Sequence, residues 1–474
     1  MTKEGEVRRM GASRTKQSRD MTQGVIWKQL VAFALPLMLG NLFQQMYNTV
    51  DSIVVGRFVS TEALAAVGST SSITNMLVGF FMGLSVGAGV VISQRFGAKD
   101  DEGVHRAVHT TVAMTIIIGL LFTVIGVTMA PLMLRLMKTP ADVFPEAKTY
   151  LQIYFAGILG LVLYNMGSGI LRAVGDSRRP LYFLVFCSVV NTVLDLVFVL
   201  VFRMGVEGVA YATVLAQFLS AGLILLVLSR SEENYRFIPQ KLRIYPPVLK
   251  SIFSIGLPSA LQRALTAFSN VFVQGYINDF GADCMAGWGC YHRLDQFILL
   301  PMQSVTMGGT TFVGQNIGAR NLKRAEKGVS TAIWLSIGVT LVLIGLLNIF
   351  CTPVLRIFSE KPGVLEYGRL FIRMISPFYV ICCLNQVYAG ALRGAGDSKA
   401  PMAMMLFSFV FFRQIYLYVG SLFIHDVRFV GLGYPMGWLV CSVLQYLYYK
   451  KSHWREHCEM QWKQEDAAKQ QSAA

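Results

Sequence analysis

The segment "GILRAVGDSRRP", Gly169–Pro180, returns as "GALRGAGDSKAP", Gly390–Pro401, 221 positions later (169 to 390) and identical at seven of twelve residues. Such a polar phrase between long apolar runs reads as a turn. Its Gly-Asp-Ser supplies turn geometry and an N-cap, and its Pro suits the first turn of the next helix. Two further pairs keep the register. "SQRFGAKD" from Ser93 is answered by "GQNIGARN" from Gly314, again 221 apart (93 to 314). Pro36 in "ALPLMLGN" and Pro258 in "GLPSALQR" lie 222 apart (36 to 258). The chain is therefore two copies of one unit, joined by the charged stretch "SRSEENYRFIPQKLRIYPPVLK" at 229–250.

Composition tells what the unit is made of. Of 474 residues, 54% are hydrophobic and only 15% charged, and the mean hydropathy is +0.50. A soluble protein carries about 25% charged residues. Runs such as "VAMTIIIGLLFTVIGVTMAPLML" and "PLYFLVFCSVVNTVLDLVFVLVF" reach the roughly 20 residues that cross ~30 Å of hydrocarbon as a helix. They are continuously apolar rather than alternating, which implies helices and not a barrel. Twelve spans are expected, near 25–54, 62–93, 107–133, 147–171, 181–202, 206–229, 250–279, 285–316, 329–350, 364–392, 401–424 and 430–450. The fold class is thus an all-α polytopic membrane protein, with twelve transmembrane helices in two pseudo-symmetric six-helix bundles. The expected organisation is a disordered cytoplasmic tail at 1–22, a first lobe at 23–229, a cytoplasmic loop at 230–249, a second lobe at 250–450 and a cytoplasmic tail at 451–474. An even helix number gives both copies one orientation, so they relate by an axis along the membrane normal with the substrate path between them.

The formal charge of +15 raises the question of nucleic acid. Most Lys and Arg, however, fall in the N-terminal tail and in the loops after even-numbered spans. That is the positive-inside pattern; it puts both termini in the cytoplasm and makes the basic patches topology determinants facing anionic lipid. No nucleic-acid partner is expected, and no cleavable signal is evident in the polar first 22 residues. The eight cysteines sit mostly within spans without a CxxC pair; only Cys284 and Cys290 lie near an outer loop where a disulfide is conceivable.

A carboxylate in hydrocarbon is costly and ordinarily faces a protein interior with work to do. Asp51 ("MYNTVDSIVV"), Asp195 ("VVNTVLDLVFV") and Asp295 ("YHRLDQFILL") are the three such acids. Asn191 and Asp195, four apart, share a helix face. With Asp51 and the Thr213 hydroxyl they make an all-oxygen set within the first lobe. Hard oxygens suit an alkali cation. Two carboxylates kept dry together also cannot both stay charged cheaply, so the pair equally suits a proton. The competing reading is a polar network that only packs helices. In the second lobe Arg263 and Arg413 fall mid-span, and Asp295 is expected to pair with one of them, since Arg293, two residues away, faces elsewhere.

The two six-helix halves, "NTVDSIVVGRF", the "QRFGA/QNIGA" pair and the "LRxxGD" turns together resemble the multidrug and toxic compound extrusion (MATE) family, over about residues 22–450. In its DNA-damage-inducible-like bacterial branch the coupling site comprises an acid on the first helix, an Asn and Asp four apart on the fifth and a Thr on the sixth. The resemblance therefore implies cation coupling at Asp51, Asn191, Asp195 and Thr213. The norfloxacin-exporter branch has further acids where this chain carries Thr266 and Cys382, so the resemblance implies that the second lobe lacks that site.

The function expected is a secondary antiporter, not an enzyme, exporting multidrug-type lipophilic or cationic compounds in exchange for Na+ or H+ by alternating access. The alternative on the same fold is an exporter or flippase of lipid-linked or anionic substrates, which arginines would suit. Arg263, Asp295, Arg413 and Met302 are candidates for the substrate pathway, and Pro36 and Pro258 for hinges. No cofactor beyond the coupling ion is expected; the partners are small organic substrates and membrane lipids, the protein a monomer in a bacterial cytoplasmic membrane. No Walker sequence is present. The i, i+4 histidines of "HRAVH" (His105, His109) and "HWREH" (His453, His457) lack the Glu of HExxH, which leaves a zinc enzyme poorly supported.

Overall fold

The computed structural model describes residues 20–452 and, beyond them, 454–456, 458–460, 462–463 and 466. The first lobe comprises α1 (Ile26–Phe58), α2 (Thr61–Gly97), α3 (Asp101–Leu136), α4 (Phe144–Ala156), α5 (Ile158–Ala173), α6 (Arg178–Leu196) and α7 (Val206–Arg230). The second comprises α8 (Pro246–Asn278), α9 (Ala282–Gly318), α10 (Leu322–Ile349), the short α11 (Cys351–Arg356), α12 (Pro362–Ile375), α13 (Tyr379–Gly394), α14 (Lys399–Leu406), α15 (Arg413–Ser421) and α16 (Val427–Lys451). Nine spans among the described residues are long and apolar enough to cross a membrane, and α4 with α5, bent by 48° at Gly157, makes a tenth. The remaining two of the twelve are α8 and α9, 33 and 37 residues long. They fall short in apolarity because small and polar residues such as Gly308, Gly309, Thr310, Thr311, Gln315 and Asn316 are buried in α9 against protein rather than lipid.

Each lobe begins inside the other. On α1, Leu30, Phe33, Ala34 and Leu37 belong to a core with Val305, Phe312 and Val329 of the second lobe. Only farther along do Val54 and Val55 join Val199, Val206 and Val209 of the first. Reciprocally, Val248, Ile252 and Ile255 of α8 lie in the core of Leu84, Leu161 and Ile170. Positions 30 and 252, and 33 and 255, stand in the 222-residue register of Pro36 and Pro258. The leading helix of each sequence half thus starts in the core of the other. Both prolines lie within uninterrupted helices.

The lobes meet along α2 and α8 and along α2 and α9, and glycine permits it. A Cβ on Gly83 would lie 2.5 Å from the Ala260 Cα, and one on Gly87 2.4 Å from the Ile252 carbonyl oxygen. A Cβ on Gly97 would lie 1.8 Å from the Gln315 oxygen, and one on Gly318 1.8 Å from the Gln94 oxygen. These last four residues are the "QRFG" and "QNIG" of the repeat. Their glutamines cross between lobes: Gln94 Nε2 donates to the Gly394 carbonyl and Gln315 Nε2 to the Ala173 carbonyl, both at 2.9 Å. The acceptors are themselves 221 apart (173 to 394) and close the helices that end in "LRAVGD" and "LRGAGD".

Those ends are matching Schellman turns. Gly175 and Gly396 take φ of +85° and +97°, Asp176 N–H donates to the Leu171 carbonyl, and Asp397 N–H to the Leu392 carbonyl. The following helix is held by the Asp, not the Ser. Asp176 Oδ1 accepts from the Arg178 and Arg179 N–H groups, and Asp397 Oδ1 from that of Ala400. Pro180 and Pro401 stand in the first turns of α6 and α14.

One expectation changes here. The stretch 1–22 is not all tail. Met21 is fully buried, its N–H donating to Gln315 Oε1 at 2.9 Å, while residues 1–19 lie outside the described residues. His109 is structural: Nδ1 donates to the His105 carbonyl at 2.8 Å, and Nε2 accepts from the Ile238 N–H at 3.1 Å, pinning the inter-lobe loop to α3. His453 and His457 lie outside the described residues, and among those described no group of three metal-ligating side chains forms. All eight cysteines are free and buried, Cys284 and Cys290 included.

Two outcomes follow from this interface. Gly87→Ala forces backbone apart and costs about 1–3 kcal/mol, read as a lower melting temperature in detergent. Gly68→Ala and Gly79→Ala, which would meet nothing within 4 Å, leave it unchanged or higher. Removing both glutamine bridges in Gln94→Ala/Gln315→Ala costs about 1 kcal/mol each. A cysteine placed at Ser304 in the inter-lobe cavity then becomes labelled by an impermeant thiol reagent added from the side carrying the "LRxxGD" turns, at a rate that parent protein does not show.

Candidate functional site

Inside the first lobe, α1 carries Asp51, α6 carries Asn191 and Asp195 one turn apart, and α7 carries Thr213. Asn191, Asp195 and Thr213 are buried; Asp51 is half-buried. The carboxyl groups of Asp51 and Asp195 are direct neighbours. Asn191 and Thr213 line a cavity of about 500 Å³, together with Gln44, Tyr47 and Gln217. Among the described residues, apart from the two carboxyls' contact with each other, neither oxygen of Asp195 nor Asp51 Oδ1 has a hydrogen-bond partner, and neither amide atom of Asn191 has one. The Thr213 hydroxyl donates to the Val209 carbonyl at 3.0 Å, which turns its lone pairs outward from its own helix. A network serving only to pack helices would satisfy these atoms, because an unpaired buried polar group costs about 1–3 kcal/mol. Two carboxylates, an amide oxygen and a hydroxyl instead make a donor set of the kind that Na+ takes and that H+ also occupies.

A second cavity, of about 1000 Å³, lies between the lobes. Its lining draws Leu37 and Asn41 from α1, Met82, Ser85 and Val86 from α2, Arg172 from the end of α5, and Arg263 from α8. Gln303, Thr306 and Met307 come from α9, and Gln386 and Arg393 from α13. Three arginines face it, and no Asp or Glu is part of the lining.

Of the four residues expected on the pathway, this cavity takes Arg263 alone. Asp295 pairs with neither Arg263 nor Arg413. It is buried, accepts a hydrogen bond from the Tyr379 hydroxyl, and stands 3.9 Å from His292 Nδ1; Tyr291 and Tyr379 hydroxyls meet at 3.1 Å. Arg413 donates to Ser269 Oγ and Asn270 Oδ1 at 2.9 and 2.8 Å and lies 4.8 Å from the Tyr434 ring centre. Neutral partners suffice there, so no acid is drawn to it. Met302 is fully buried in the second lobe's core, whereas Met307, less than two turns on, reaches the cavity. Thr266 and Cys382, the two non-acidic positions, leave Asp295 as the second lobe's intramembrane carboxylate.

Several site residues escaped the sequence reading. Tyr47 and Tyr150 lie close to the Asp51–Asp195 pair, and Tyr154 lies beside both tyrosines. Gln217 lies beside them, its Oε1 buried without a partner. Helical spacing could have found them: Tyr47 precedes Asp51 by four, Gln217 follows Thr213 by four, and Tyr150 and Tyr154 are four apart. Arg172 and Arg393 were in plain view, as the arginine of the repeated phrase.

Two like helical lobes around a shared cavity, with buried ionisable groups in the spans, define a polytopic membrane transporter. The family model described as MatE matches residues 36–197 and again 258–419, in the 222-residue register of the two prolines. The chain belongs to the MatE family and is a transporter rather than an enzyme. Similar proteins include the probable multidrug resistance protein YpnP of Bacillus subtilis (strain 168), 32% identical over 440 residues that cover 92% of this chain and 97% of that one. The probable multidrug resistance protein NorM of Thermotoga maritima is 26% identical over 393 residues, 81% and 83% of the two chains. A crystal structure of a MATE protein in a bent conformation superposes with a TM-score of 0.88 at 24% identity, covering 94% of this chain and 99% of that one. That likeness concerns the fold.

The Asp295 environment gives its own test. Tyr379→Phe removes the hydroxyl that the buried carboxylate accepts from, at about 1.5–3 kcal/mol. The melting temperature falls, while the cation dependence of transport, measured in liposomes, stays as in the parent.

Proposed function

We propose that this chain is a secondary active exporter in a bacterial cytoplasmic membrane, exchanging an inward-moving Na+ or H+ for an outward-moving organic compound. The observation that carries the reading is the set of unpartnered buried oxygens at Asp51, Asn191 and Asp195. Relatives named as probable multidrug resistance proteins support drug-like cargo, and their bacterial sources support the membrane. The Lys and Arg distribution supports cytoplasmic termini, which makes the glutamine-bridged end the inner one and this arrangement closed to the cytoplasm. The protein works as a monomer, since its path lies between its own two lobes.

Coupling runs through α1. Its first half packs on the second lobe and its second half, bearing Asp51, on the first, with Pro36 in the first half between Ala34 and Leu37. A proline removes one intrahelical hydrogen bond and so eases bending there. A cation held by Asp51 and Asp195 changes how that half of α1 sits, and with it the balance between lobe arrangements. It does so only by its difference in affinity between them. Pro258 occupies the corresponding place on α8.

A second reading, export or flipping of lipid-linked or anionic compounds, is favoured by the three cavity arginines. The test of the preferred reading is efflux from proteoliposomes under an imposed Na+ or H+ gradient. Asp51→Asn and Asp195→Asn each lower gradient-driven efflux at least about tenfold while leaving equilibrium binding of cargo within about twofold. Full efflux in both variants overturns the coupling assignment.

A further inference from the structure

We propose that the inter-lobe cavity binds the anionic group of an amphipathic organic solute, a carboxylate or phosphate, on the guanidinium groups of Arg172, Arg263 and Arg393. This names the cargo class of the exporter proposed above and rests on that reading for the direction of transport only.

The chemistry begins with partners. Each guanidinium offers five N–H donors and no acceptor. Arg393 is 8% exposed and spends one donor on Gln262 Oε1 at 3.2 Å. Arg172 has Tyr164 nearby, and neither Arg172 nor Arg263 forms an ion pair among the described residues. Arg263 and Arg393 are close enough to repel one another. Three like charges gathered in one cavity within the membrane domain are expensive, and a counter-charge is what relieves them. Nothing in the lining supplies it, because that lining holds no Asp or Glu.

A structural role for these arginines accounts for less. A cation in the last turn of a helix favours the C-terminal end of its dipole, and that fits Arg172 on α5 and Arg393 on α13. It does not fit Arg263, mid-way along α8. Arg413 shows how this molecule treats an arginine that only holds helices together. It is met by Ser269, Asn270 and the ring of Tyr434. Of the cavity arginines, Arg393 has Gln262 and Arg172 has Tyr164 nearby, and no acid lines the cavity around them.

The rest of the lining fits an organic body better than a bare ion. Met82, Met307 and Leu37 offer apolar, adaptable contact, and Asn41 and Gln303 offer hydrogen bonds. A planar carboxylate or a phosphate is the group that a guanidinium fork grips with two parallel bonds. Arg172 and Arg393 also stand at equivalent places in the two repeats, each directly before a glutamine-bridged carbonyl, that of Ala173 on α5 and that of Gly394 on α13. A solute held between them touches both lobes beside their bridge.

The test is equilibrium binding to the full chain in nanodiscs of neutral lipid, followed by fluorescence polarisation. Carboxyfluorescein is the anionic probe and rhodamine 6G the cationic one. Wild type binds carboxyfluorescein the more tightly. Arg172→Gln, Arg263→Gln and Arg393→Gln each weaken it about tenfold or more, rhodamine 6G binding holds or improves, and Arg263→Lys recovers part of the loss. Melting temperatures within a few degrees of wild type certify each variant as folded, and the three sites give three independent chances of a folded one. Rhodamine 6G bound and carboxyfluorescein not, or glutamine variants that bind the anion unchanged, overturn the proposal. Short-chain phosphatidylglycerol that displaces carboxyfluorescein, where inorganic phosphate at equal charge does not, assigns the arginines to a lipid headgroup and overturns a soluble cargo. Binding needs no ion gradient, so failure of the coupling assignment at Asp51 and Asp195 leaves this readout untouched.

Discussion

The carbonyl groups that end a helix must find donors, and here two of them find theirs in the opposite lobe. Gln94 reaches Gly394 and Gln315 reaches Ala173, which is feasible only because Gly97 and Gly318 let α2 and α9 touch at backbone distance. Much else is positioned by this contact. It places the "LRxxGD" turns side by side, carries Arg172 and Arg393 to the floor of the inter-lobe cavity, and docks Met21 through the same Gln315 amide. Each bridge is a single hydrogen bond of about 1 kcal/mol net. That is enough to favour one arrangement and little enough to be given up when another is stabilised.

Charge within the spans is handled in three distinct ways. Arg413 and Asp295 are given neutral hydrogen-bonding partners in their own lobe. The oxygens of Asp51, Asn191 and Asp195 are buried together and left without donors. The arginines of the inter-lobe cavity are left without a carboxylate, Arg393 spending one donor on Gln262. The first treatment holds helices together. The other two leave chemical demand of opposite sign at two places, one inside a lobe and one between lobes. An exchanger of unlike cargoes needs that division.

The sequence made the fold legible through repetition and apolar length, and the structure keeps those features: two copies 221–222 residues apart and twelve spans. It also pointed to the acid set, because Asn191 and Asp195 one turn apart announce a shared face. It misled where partners are tertiary. Asp295 was matched to an arginine by charge, but what reaches it is Tyr379, 84 residues away, and hydroxyl groups leave no mark in a charge count. Met302 and Met307 are alike in composition and separated only by rotation around α9. The crossing of α1 and α8 into opposite lobes was hidden because an apolar helix reads the same whichever core receives it. Arg172 and Arg393 were read as furniture of a turn, since a repeated phrase invites one explanation for all its letters.

The exchange of leading helices bears on how such a chain is built. Until α9 and α10 are made, Leu30, Phe33 and Leu37 have no protein surface to settle on, and Ile252 and Ile255 complete a first lobe that is otherwise already synthesised. Neither half is a self-sufficient module. An ancestor of half this length, if it stood alone, would have had to trade its first helix with a twin, so the duplication preserved in the present chain amounts to a swapped homodimer whose two members were tied into one polypeptide.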